Sequence, residues 1–351
     1  MKGYLSMFDL PDRITAEYYD SLEMFTVESI WQLCDRDLSE REIDISSEEE
    51  LSELCFDTGT VFPQRLQEMA EHVLQDGKRN MLNTCGLTGK GIKVAMIDKP
   101  IRQDHIEFEG RLKYIEVLPG HPDNDETYFH GTTCAGLMSG ATCGVAPESE
   151  LVFFAIPNKT DNLEEYWGFQ LEALKKIIEY NHKNESPIRV ICLPAGFAKS
   201  QLEQRSELEK QLLETGCVLI DAMNFGRNFK GIDYVKNHGN IEYKLNKWQI
   251  DDYERNKHRD GFVEYFNSVC FVPSPRRTSP GDYSNTEFIH WSKAASESWT
   301  MPQVAGAYAC CLQAYPNLRY DDFIKMCKSC PKKDGFTILD MKKVLEKCEE
   351  I

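Results

Sequence analysis

From Gly86 onward the chain repeats one unit, a short apolar run followed by an amphipathic stretch. The runs cover residues 92–97, 151–156, 189–193, 217–222 and 269–272. Each is too short for a buried helix and lacks the alternation of a half-solvated strand, so each reads as a strand covered on both faces. Helical spacing occupies residues 131–139, 163–180, 204–215 and 299–314. Strands alternating with helices restrict the fold to a mainly parallel α/β sheet with helical layers on both faces. Ligands of such sheets collect beyond the carboxyl ends of the strands. Functional residues are therefore expected just after the apolar runs.

Two stretches break this rhythm. Residues 1–85 read as an α-rich extension, with a helix start at Ser46 and Ser47 and helical apolar spacing over 63–74. The chain thus divides into an extension, 1–85, and a main domain, 86–351. Residues 229–260 are charged and rich in Asn, Lys and Tyr. They read as a solvated excursion with its own hairpin, with a loop over the site rim as the other reading.

Charge and cysteine usage narrow the function classes. Fifty-seven acidic residues against 40 basic ones give a net charge of −17. Phosphate binding rests on Lys and Arg, so nucleic acid is not an expected partner. No run of about 18 apolar residues marks a membrane span, and the first residues are too polar for a signal-peptide core. The 13 cysteines are then expected as reduced thiols in the cytoplasm. Cys327 and Cys330 form one C-x-x-C with Cys348 beyond it, which is short of a four-ligand metal site. No cofactor is expected. The acidic loop Asp123, Asn124, Asp125 and Glu126 is the nearest approach to a calcium site, and reads as a solvated loop.

Three residues in order carry chemistry. Asp98 ends the first strand in KVAMID, His130 opens FHGTTCAG, and Ser298 stands in SESWTMPQVAG. A hydroxyl becomes a useful nucleophile when a base takes its proton and a carboxylate orients that base. Each residue alone would read as a cap or turn residue; together they read as a triad. His105, seven residues after Asp98, reads as a packing or turn histidine.

On these motifs, residues 86–316 resemble the subtilisin-like serine peptidases (peptidase S8, the subtilase family). HGTTCAG holds every fixed position of the family's H-G-T-x-x-A-G, and GVAPESEL follows it as in the family. Ser298, Pro302, Val304, Ala305 and Gly306 keep the family's serine motif. Its glycine and threonine before the serine are Ser296 and Glu297 here, and the next two residues are Trp299 and Thr300. The family's D-[ST]-G is Asp98-Lys99-Pro100. The resemblance implies a three-layer subtilisin-like fold and a serine endopeptidase acting on peptide or protein substrates. It implies Asp98, His130 and Ser298 as catalytic residues and Asn224, in CVLIDAMNFG, as an oxyanion-hole donor. It places peptide binding at Pro194, Ala195 and Gly196. Pro194 has no N–H to donate to a substrate strand. Asp221 stands near the family's first specificity pocket, and two readings stay open: an acceptor for Lys or Arg before the cleaved bond, or a carboxylate satisfied by nearby backbone N–H groups. Two functional alternatives also remain: a pseudopeptidase that binds peptides or proteins without cutting, and a processing enzyme of narrow specificity.

Overall fold

A computed structural model describes residues 4–5, 24–27, 82, 84–124, 126–158, 163–237, 240–274, 277–285, 288–291 and 296–349. Its strands are β1 (Tyr4–Leu5), β2 (Met24–Val27), β3 (Lys93–Asp98), β4 (Leu112–Glu116), β5 (Glu150–Ala155), β6 (Val190–Leu193), β7 (Val218–Asp221), β8 (Phe229–Asn237), β9 (Asn240–Lys244), β10 (Cys270–Pro273), β11 (Arg277–Pro280), β12 (Phe288–Trp291), β13 (Lys332–Lys333) and β14 (Phe336–Thr337). The helices are α1 (Phe129–Ser139), α2 (Leu163–Lys183), α3 (Leu202–Glu214), α4 (Ala222–Phe225), α5 (Lys247–Asn256), α6 (Phe262–Ser268), α7 (Glu297–Ala314), α8 (Tyr320–Lys328) and α9 (Met341–Cys348).

The central sheet has the order β4-β5-β3-β6-β7, with every pair parallel. Successive side chains of a strand point to opposite faces. Val94 and Met96 of β3 accordingly pack on one side with Cys134 and Leu137 of α1 and Val304 and Tyr308 of α7. Ala95 and Ile97 pack on the other side with Leu174 and Ile177 of α2 and Leu208 and Leu212 of α3. This is the expected α/β architecture, a parallel sheet between two helical layers. α1 and α7 are buried almost all round, as helices in the middle of a large core are.

The last expected strand joins a different sheet. β10 pairs in parallel with β8, and β8 pairs antiparallel with β9. The hairpin expected in the 229–260 excursion is therefore present, but the segment is more than a solvated loop. Phe229 packs into the main core. Ile232, Tyr234 and Tyr243 form a second apolar cluster with Phe266, Val269, Phe271 and Ile338.

The helices expected in residues 46–74 lie outside the described residues. The described part of the extension is β-structure. β2 pairs antiparallel with β12, with Thr26 opposite Ile289, and β1 lies parallel to β2. β12 also pairs antiparallel with β11. Part of residues 1–85 thus belongs to the same sheet as the segment leading to Ser298. No helix among the described residues is long and apolar enough to cross a membrane.

Candidate active site

Asp98 is the last residue of the central strand β3, and His130 is the second residue of α1. Strand end and helix start are brought together by a backbone bond from Tyr128 N–H to Pro100 O, 2.8 Å. The approach requires Gly131. A Cβ there would stand 2.6 Å from Lys99 O and 3.2 Å from Asp98 Cβ, closer than packed atoms allow. The glycine of HGTTCAG therefore lets the histidine reach the aspartate. His130 Nδ1 lies 2.8 Å from Asp98 Oδ2. The other carboxylate oxygen accepts from Lys99 N–H, 2.8 Å. Asp98 is almost fully buried, while a quarter of the His130 side chain is exposed. Burial works against the imidazolium, but the charge and hydrogen bond of Asp98 outweigh it, so the pKa of His130 stands above its ordinary value. With Nδ1–H directed at Asp98, the neutral ring presents Nε2 as a base.

Ser298 is in the first turn of α7. Gly306 permits α7 to lie tight on α1, since a Cβ there would stand 3.0 Å from Met138 O. The contact brings the serine turn beside His130. The Trp299 ring packs 5.2 Å, centroid to centroid, from the imidazole. Cys134, one helical turn beyond His130, donates its S–H to Ser298 O at 3.3 Å. Among the described residues Ser298 Oγ has no hydrogen-bond partner, the imidazole included. Trp299 N–H and Thr300 N–H both bond Ser296 O. The preceding N–H groups of Glu297 and Ser298 are helix-end donors with no intrahelical acceptor.

Asn224 sits in α4, which packs against α7. Its side chain closes a capping box with Asp221. Oδ1 accepts from Asp221 N–H at 3.1 Å and Nδ2 donates to Leu219 O at 2.7 Å. One of its two amide hydrogens is thereby spent on the strand. Asp221 is fully buried. Its Oδ1 accepts from Met223 N–H and Asn224 N–H, at 3.1 and 2.9 Å. Its Oδ2 accepts from Arg205 Nε at 2.8 Å and forms an ion pair with Nη2 at 2.6 Å. Of its two readings, the satisfied carboxylate is the one this geometry matches. Three hydrogen bonds and the guanidinium ion pair occupy the carboxylate and leave it no face for a substrate cation, which corrects the reading as a Lys or Arg acceptor.

Pro194, Ala195 and Gly196 follow β6, at the carboxyl end of the sheet. Ala195 is already bonded through N–H to Leu193 O and through its carbonyl to Ala222 N–H. Of the three, Gly196 keeps backbone groups without a partner among the described residues. His105 is buried and accepts from Glu107 N–H at 3.2 Å, a turn histidine as expected.

Two neighbours of the imidazole, Cys134 and Trp299, are not picked out as site residues by the sequence reading. Cys134 carried a signal, since residues four apart share a helix face. The ligand atoms of Asp98, His130 and Cys134 lie within 4.8 Å of one another. They form the one such group among the described residues, but the Asp98–His130 hydrogen bond already occupies two of its members. In the loop at 123–126, Asn124 spends its amide on Glu116 and Leu118, and Asp125 lies outside the described residues. The three C-terminal cysteines, Cys327, Cys330 and Cys348, are buried thiols in the α8–α9 region of the core.

The model of the subtilase family, peptidase S8, matches residues 89–258. The match includes Asp98, His130 and Asn224 and stops short of Ser298. Subtilisin-like protease 1 of Pseudogymnoascus destructans is 47% identical over 68 residues, 19% of this chain and 17% of that protein. Subtilisin-like protease 2 of Arthroderma otae is 38% identical over 120 residues, 32% of this chain and 26% of that protein. The alignments thus span about a quarter or less of these relatives' own length. Among solved structures, a protease of Pseudoalteromonas arctica superposes with a TM-score of 0.48 at 16% identity, over 75% of this chain and 91% of that one. In sequence, then, residues 89–258 match the model of the subtilase family, peptidase S8.

Proposed function

We propose that the protein is a serine endopeptidase in which Asp98, His130 and Ser298 act as a catalytic triad. The observation that carries the reading is the Asp98–His130 hydrogen bond, with the turn of Ser298 held against the same imidazole. Ser298 Oγ attacks the peptide carbonyl carbon as its proton passes to His130 Nε2. The carbonyl oxygen gains the negative charge. The C–N bond then breaks, the imidazolium protonates the leaving amine, and water repeats the sequence to free the acyl group. The orphan N–H of Ser298 and the remaining amide hydrogen of Asn224 are the proposed oxyanion donors. Catalytic hydrogen bonds often tighten only when substrate is bound, which accommodates the unbonded Ser298 hydroxyl. Substrate is proposed to add as an extended strand beside Gly196.

The reading extends to an intracellular protein of narrow specificity. Support comes from the buried cysteines among the described residues, which are free thiols. The experiment is labelling with a fluorophosphonate, the modified residue being located by mass spectrometry. Labelling at Ser298, absent from Ser298→Ala, is expected. Folded protein that stays unlabelled, with no cleavage of a mixed peptide library, overturns the peptidase and leaves the peptide-binding pseudopeptidase.

A further inference from the structure

Glu297 precedes the proposed nucleophile, where the family usually has a threonine. It is the first residue of α7, and its side chain is half-buried. Its carboxylate reaches toward the turn that follows Asn224. A Cβ on Gly226, the residue ending α4, would stand 3.3 and 3.5 Å from the two carboxylate oxygens. The missing side chain at Gly226 leaves that flank of the carboxylate uncovered. The carboxylate therefore lies between the nucleophile's turn and the proposed oxyanion residue's turn.

The surroundings do not satisfy it. Glu297 has no hydrogen bond or ion pair among the described residues. Lys230 of β8 is the cation that acts on it, but from beyond ion-pair distance, and the Lys230 ammonium lies 5.7 Å from the centre of the Tyr265 ring. Tyr265 gives its hydroxyl hydrogen to Gly226 O, not to the carboxylate. Burial pushes the Glu297 carboxyl above its ordinary range, and Lys230 only partly offsets this. A half-buried carboxylate without a donor gains most from a cation that arrives with its own hydrogens. The carboxylate of Asp221, at the end of β7, is by contrast filled by Arg205.

We infer that Glu297 is a specificity-determining residue, whose carboxylate receives the Lys or Arg side chain of a substrate residue flanking the cleaved bond. The inference rests on the peptidase reading above. The chain's net charge of −17 adds a long-range attraction for the same cationic peptides.

The test uses two peptidyl diphenyl phosphonates, identical except for a lysine-like or a norleucine-like side chain at the reacting residue, alongside the general fluorophosphonate. Ser298 Oγ attacks phosphorus and phenol leaves, so labelling reads recognition without turnover. A peptide library cleaved at intact bonds covers the residue on the far side. A charge-assisted contact of this kind is worth about 10- to 100-fold. The full-length protein is expected to favour the cationic probe, or cationic residues on one side of the cleaved bond, by about that factor. Glu297→Gln, nearly isosteric, and Glu297→Thr are expected to bring the ratio within about threefold of unity. Equal rates for both probes and no cationic bias in the library, with fluorophosphonate labelling intact, overturn this inference alone. A cationic preference unchanged in both variants does the same. Failure of every probe, together with an uncut library, overturns the peptidase reading and this inference with it.

Discussion

Removing Arg205 tests how the end of β7 is held. Arg205→Met deletes the Nε hydrogen bond and the ion pair to Asp221 Oδ2 and leaves the two backbone N–H bonds to Oδ1. Asp221 is fully buried and the Arg205 side chain only 9% exposed, so solvent screens little of the pair. Breaking a buried ion pair by removing one partner costs about 3–5 kcal/mol, because the remaining charge is uncompensated. The two surviving N–H bonds place this case near the lower end, about 3 kcal/mol. At about 2.1 cal/mol/K of unfolding entropy per residue, that lowers the Tm of a domain spanning residues 86–351 by about 5 °C. Thermal unfolding followed by circular dichroism reads the shift. Arg205→Met/Asp221→Asn removes the buried charge and retains an oxygen to cap α4. It is expected to recover most of the loss, which separates the charge effect from lost packing. The ion pair also fixes the capping box that holds Asn224, so the single variant should lose peptidase activity well below its Tm. A Tm drop under about 2 °C, roughly 1 kcal/mol on the same scale, would refute the reasoning and return Asp221 to the list of pocket acids.

Two further outcomes follow from the triad's geometry. His130 must be neutral to take a proton, and its folded pKa lies above the ordinary 6.5. The acid limb of kcat/KM should therefore have its midpoint above 6.5. Asp98→Asn should move that midpoint down and lower the rate by about 10⁴. The sign for stability is opposite: the His130–Asp98 pair contributes fully below the unfolded histidine pKa of about 6.5, and its contribution fades as pH rises through the folded value. Gly131→Ala puts a methyl group against Lys99 O and Ile101. The α1 helix must retreat from β3, at a cost of about 1–3 kcal/mol, and kcat/KM should fall with it; unchanged kinetics would mean that the helix start tolerates the shift.

What the sequence makes legible follows from burial. Strands β3, β5, β6 and β7 are apolar and buried along nearly their whole length, so they stand out as runs. β4 does not, because Leu112–Glu116 is partly exposed along its length and its Lys and Glu mask the pattern. The 229–260 segment hides its apolar cluster for a similar reason: Lys230 and Asp233 interleave with Phe229, Ile232 and Tyr234. HGTTCAG is readable because short-range packing of α1 against β3 dictates it. The Arg205–Asp221 pair is not, because it joins a helix to a strand end at a spacing that no local rule fixes. The position of Glu297 was visible as a departure from the family; its lack of a partner needed the folded chain.

The pairing of β2 with β12 has a consequence for the chain as it is made. Val27 lies opposite Phe288, about 260 residues further along. At roughly 5–20 residues per second, β2 leaves the ribosome some 13–50 seconds before its partner exists. During that interval the edge of β2 that faces β12 is an open template for any passing strand. β3 and α1 are synthesised early and can settle the Asp98–His130 contact, whereas Ser298 and the strand leading to it are made much later. On the peptidase reading, the proposed triad would thus be completed only after the partner strand of β2 has been made.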